Sequence, residues 1–295
     1  MITSILYSQG GYIDYFYEKF TTPKAKSMIL GDSRSMQGLQ PRVLNECNYI
    51  NTTYQGDIQN YSFTIAQIAY GPEYFKSIKR KLDTTTTKGL FIVTVNPWLF
   101  SKREKDDFDT EVYFESDMPP HNMNYVDHRI NFEYFIKNFD YFHFRSIIRR
   151  SSKLHRDGWL EESNLPKDEA TLTAWKKNQI VMYQKFSKQW LPSDFRMQSF
   201  QNIIRYLKNF GTVILLRMPV DEQILTIENQ FWTDFDKRID EIADNNQVIY
   251  INLKSNDKYQ TYDGNHIDKY GGVIFSQDIC EMIKKITKQK VIYHD

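Results

Sequence analysis

A serine hydroxyl becomes a nucleophile when a base takes its proton, and the base works best when a third group orients it. Residues 27–38 read SMILGDSRSMQG, an apolar run that ends abruptly in Gly-Asp-Ser-Arg-Ser. Ser33 therefore falls where a strand gives way to a helix. That position suits a helix cap, and it equally suits a nucleophile, because the first amides of the helix surround it. Far along the chain, residues 259–272 read YQTYDGNHIDKYGG. Asp263 and His266 lie three apart on a glycine-containing loop, a spacing that lets an imidazole turn toward the carboxylate or toward a backbone carbonyl. Of the other histidines, His121, His128, His143 and His155 fall in one central stretch and His294 in the tail. No His-x-x-x-His or Glu-His grouping suggests a metal site.

These side chains need a frame. Residues 26–33, 88–98 and 211–219 are short apolar runs of the kind that fill strands covered on both faces, and 246–253 alternates more, as an edge strand does. Between them lie helical patterns: 72–82, opening on Pro72; 196–210, followed by Gly211; 233–244; and 273–287. The alternation predicts a single α/β domain over 1–295, three layers α/β/α around a mainly parallel, flavodoxin-like sheet. Residues 101–195 break it. They are too long for an ordinary crossover and contain two amphipathic helical patterns, 129–150 and 172–191. They read as a helical insertion able to cover the active edge.

Ligands in such sheets sit beyond the carboxyl ends of the strands. The polar residues there are Asp32, Ser33 and Arg34 after the first strand, Asn96 after the second and Arg217 at the end of the third. Arg217 has two readings, a ligand for a substrate anion or a salt bridge to an acid such as Glu228. Arg34 is read as structural or solvated, with substrate binding as the alternative.

The stretches ILGDSRSMQG, VTVNPW and DGNH resemble blocks of the SGNH/GDSL hydrolase superfamily. The resemblance spans residues 29–275. It implies Ser33 as nucleophile, Asp263 and His266 as its partners, and an oxyanion hole from the Ser33 amide, Asn96 and a second-block glycine. The family's usual Gly-x-Asn-Asp is here Val95-Asn96-Pro97. The second block, somewhere in NYSFTIAQIAYGP (60–72), offers Gly71 or Gln67 without the usual Asn-x-Gly. These departures make the chain more similar to a divergent branch that includes bacterial polysaccharide O-acetyltransferases and D-alanine transfer proteins. That likeness implies an acylated small molecule or glycan as substrate, no metal or organic cofactor, and an extracytoplasmic setting with a membrane tether upstream of Met1. The alternative is a catalytically silent relative that scaffolds a surface polymer or a secretion partner.

Bulk properties narrow the field. Among 295 residues the net charge is +1, which gives no footprint for nucleic acid or an anionic membrane. No apolar run reaches membrane-spanning length, and no signal segment opens the sequence. Two cysteines, Cys47 and Cys280, are too few for a disulfide scaffold, and whether they pair is open, as are the redox compartment and the oligomeric state. Aromatic residues make up 15%, and core packing is the first explanation, with a sugar-facing surface the second.

Overall fold

The computed structural model describes residues 10–138 and 151–292. Five parallel strands form the central sheet: β1 (Ser27–Leu30), β2 (Ile58–Asn60), β3 (Gly89–Thr94), β8 (Gly211–Arg217) and β9 (Ile249–Asn252). Their order is β2-β1-β3-β8-β9, so the sheet is doubly wound and its order reverses beside β1. The register sets Met28 beside Phe91, Gly89 beside Gly211 and Ile214 beside Ile249. β2 is so short and polar that the sequence offers no apolar run to announce it.

Alternate side chains of each strand feed two cores, as the pleat requires. One face sends Ile29, Ile92, Ile214 and Leu216 toward Leu39, which follows α1 (Ser33–Gly38), and toward α2 (Pro41–Glu46), α3 (Asn48–Thr53) and α10 (Lys269–Ile292). The other sends Met28, Leu30, Phe91, Val93 and Leu215 toward α4 (Pro72–Lys81), α7 (Asp194–Lys208) and α9 (Phe235–Asn246). α7 starts where Ser193 Oγ accepts from the Arg196 amide. A disulfide joins Cys47, between α2 and α3, to Cys280 on α10, with 6.6 Å between their Cα atoms.

The inserted segment leaves and rejoins at one neck. There β4 (Ser101–Lys102) pairs antiparallel with β7 (Leu191–Pro192). Within it lie α5 (Phe132–Lys137), a hairpin of β5 (Ser152–Leu154) and β6 (Leu160–Glu162), and α6 (Glu169–Gln189). The segment is thus not purely helical. Of the helix expected over 129–150, residues 132–137 form α5, and 139–150 lie outside the described residues. Trp98, Trp190 and Trp232 are buried, and the core reading of the aromatic excess holds for these three. α8 (Glu222–Phe231) bridges the insertion to the sheet by packing on α6.

Candidate active site

Ser33 is the first residue of α1, directly after the turn that ends β1. The turn depends on Gly31, whose φ is +146°. A Cβ there would stand 1.8 Å from Thr94 Oγ1, so only glycine fits. Asp32 caps α1 by accepting from the Arg34 amide at 3.1 Å. This leaves Ser33 with its hydroxyl at the carboxyl edge of the sheet and its amide at the helix start.

His266 comes to the same point from the loop before α10. Ser33 Oγ lies 2.8 Å from His266 Nε2, across 233 residues of sequence. His266 Nδ1 lies 2.7 Å from Asp263 Oδ2, and Asp263 Oδ1 accepts the backbone amides of Asn265 and His266 at 2.9 and 2.8 Å. The second carboxylate oxygen thus turns the imidazole while the first ties the loop. Burial pushes the Asp263 carboxyl up. The His266 charge and these hydrogen bonds outweigh it and hold the group below its usual value. The Asp263 carboxylate at Nδ1 favours the tautomer that carries the ring proton on Nδ1, which turns the lone pair of Nε2 toward Ser33 Oγ. All three side chains are buried.

The insertion covers this line. From α6, Gln179 Nε2 donates to Asp263 Oδ2 at 3.2 Å, and Tyr183 OH donates to Asn265 Oδ1 at 2.9 Å. Tyr262 stacks on His266 at 5.9 Å and donates its hydroxyl to Gln37 Oε1. Trp159, from the β5–β6 hairpin, donates to the Gln37 carbonyl. Glu162, at the end of β6, lies within electrostatic reach of both Asp263 and His266, and burial raises its carboxyl above the usual range.

No family model matches the chain, and no curated protein matches it in sequence. Among solved structures, the lipase/acylhydrolase from Enterococcus faecalis aligns over 88% of this chain and 95% of that one. The identity is 10% and the TM-score 0.41.

The remaining site residues expected from sequence distribute differently. Asn96 does reach the edge, but its amide nitrogen donates to Asp32 Oδ2 at 2.6 Å, so one of its two protons is committed to the turn. Gly71 precedes α4 and packs against Arg196, whose Nη1 a Cβ would meet at 2.3 Å, in a buried cluster with Glu115. Gln67 lies in the turn after β2, where its carbonyl is 3.0 Å from His121 Nε2 and its side-chain oxygen is buried without a partner. Arg34 and Arg217 follow their structural readings and share one acid. Arg34 Nη2 and Arg217 Nη2 each lie 2.6 Å from one oxygen of Glu228, all three buried, and Trp98 Nε1 also donates to that carboxylate. Arg217 follows its salt-bridge reading.

Sequence reasoning missed Asn265, Gln179, Tyr183, Tyr262 and Glu162. The first and fourth lie within the DGNH stretch and its flank, so proximity alone was a signal. The others come from the insertion, and nothing in their spacing ties them to a loop some 80 to 100 residues away in sequence.

Proposed function

We propose that the protein is a serine-dependent esterase or O-acyltransferase of SGNH/GDSL type. The observation that carries this reading is the unbroken hydrogen-bonded line Ser33–His266–Asp263. Ser33 Oγ attacks an acyl carbonyl while His266 Nε2 takes its proton, and Asp263 stabilises the imidazolium that forms. The oxyanion is met by the Ser33 amide and the second amide proton of Asn96. His266 then protonates the departing alkoxide, leaving an ester on Ser33. Water or a sugar hydroxyl attacks that ester, His266 takes the incoming proton, and the proton returns to Ser33 Oγ as the acyl group leaves. The silent-scaffold alternative gains if Ser33 and His266 face apart or if bulky side chains fill the space beside Ser33, and their 2.8 Å separation weighs against the first of these.

The substrate class is an acyl, most simply acetyl, ester of a glycan outside the cytoplasm. Supporting this are the motif departures toward the polymer-modifying branch and an exposed ring near the catalytic histidine. Trp175 on α6 is 37% exposed and contacts Tyr262, the ring stacked on His266. An aromatic face of this kind suits the apolar face of a pyranose. The Cys47–Cys280 disulfide fits an oxidising compartment. An acetyl-donor screen tests the reading. The unmodified chain should release acetate from p-nitrophenyl acetate and from acetylated oligosaccharides. Trp175→Ala should weaken only the oligosaccharide reaction, and the same loss on both substrates would count against a sugar subsite.

A further inference from the structure

One amide beside the catalytic histidine has no role in the triad. Asn265 Nδ2 lies 3.0 Å from His266 Nε2, the atom that also faces Ser33 Oγ. Its orientation is dictated from behind. Asn265 Oδ1 accepts from Arg34 Nε at 2.8 Å and from Tyr183 OH at 2.9 Å. Arg34 Nε is purely a donor, so the carbonyl must face it and the NH2 group must face the imidazole. Arg34 is in turn fixed by Glu228 at 2.6 Å, and Asn265 is buried. The amide is thus held by a clamp drawn from the nucleophile's helix, the insertion and α8.

We infer that Asn265 is a positioning residue for the second half of the reaction, holding His266 ready once Ser33 is acylated. This rests on the serine acyl-enzyme reading above. In the resting enzyme His266 is anchored at Nδ1 by Asp263 and at Nε2 by both Ser33 and Asn265. Acylation removes the Ser33 hydroxyl proton from Nε2. The Asn265 amide is then the remaining protein donor to that atom among the described hydrogen bonds. It holds the neutral ring with Nε2 facing the acyl-serine, and it yields the single Nε2 lone pair when the incoming hydroxyl delivers its proton.

The test separates the two half-reactions with p-nitrophenyl acetate, quenching samples in acid and weighing the intact chain. For an acyl-enzyme route, kcat/KM reports acylation, whereas kcat and the acetylated fraction report deacylation. Asn265→Ala should lower kcat roughly tenfold, the size of one net hydrogen bond, with kcat/KM held within about twofold and acetyl-Ser33 accumulating. Tyr183→Phe, which keeps the ring and removes only the clamping hydroxyl, should shift the same quantities less. Equal losses in kcat and kcat/KM without accumulation, in either folded variant, would overturn the inference. So would faster deacylation, which would mean that the amide competes with the acceptor. If the unmodified chain never carries acetyl on Ser33 while turning over the ester, the acyl-enzyme reading itself fails, and the inference with it.

Discussion

Arg34, the residue after the nucleophile candidate, is locked by Glu228: its Nη2 lies 2.6 Å from Glu228 Oε1 and both side chains are buried. The other carboxylate oxygen takes Arg217 at the same distance. One acid from α8 thus fastens the start of α1 to the end of β8. Two buried cations sharing one anion tolerate its loss poorly.

Glu228→Gln should therefore cost about 3–5 kcal/mol of stability at neutral pH, measured by urea denaturation. The pH dependence follows from the same carboxylate. Burial raises its pKa, but the Arg217 and Arg34 charges more than reverse this, so the folded value lies below the unfolded one. Its contribution is complete above the unfolded carboxyl value of about 4.3 and is lost as the pH falls through the lowered folded value. The gap between native protein and variant should be widest near neutrality and shrink in acid. A gap independent of pH would mean that the pair is held by shape and not by charge.

Asp263→Asn should leave the fold intact and reduce ester turnover by about 10⁴-fold, because the amide no longer fixes the proton on His266 Nδ1. Circular dichroism and steady-state kinetics on a small acetyl ester read both halves of that statement. A loss of tenfold or less would make Asp263 a loop anchor through its Oδ1 contacts alone.

Much of this arrangement was legible in the chain. β1, β3 and β8 are continuous apolar runs because both of their faces are covered, and β9 alternates because it closes the sheet. The GDS stretch follows β1 directly and the DGNH stretch lies in the loop between β9 and α10, so the order of elements alone places Ser33 and His266 toward one edge of the sheet. β2 was silent because three residues carry no periodicity. Gly71 is ambiguous in sequence because a glycine before a helix marks close packing of any kind, and here the packed group is Arg196. Arg217 remained undecided because a charge at a strand end is the same in sequence whether its partner is a ligand or Glu228. The clamp on Asn265 was invisible, since it is assembled from α1, α6 and α8 by tertiary contact.

The disulfide between Cys47 and Cys280 closes a loop of 233 residues. Loop-closure entropy for that length stabilises the chain by about 5 kcal/mol in the chain-entropy account. Replacing both cysteines with alanine, or adding a thiol reductant, should lower the thermal midpoint measurably. An unchanged midpoint under reducing conditions would show that α10 docks on α2 and α3 without the bond.

The central claim is that Ser33 is a nucleophile activated by His266. A fluorophosphonate probe, followed by peptide mass analysis, tests it most directly. The label should fall on Ser33 in the unmodified chain, slow markedly in His266→Ala and be absent in Ser33→Ala, with ester turnover lost in step. Labelling at another serine, or equal turnover by Ser33→Ala, would contradict the account.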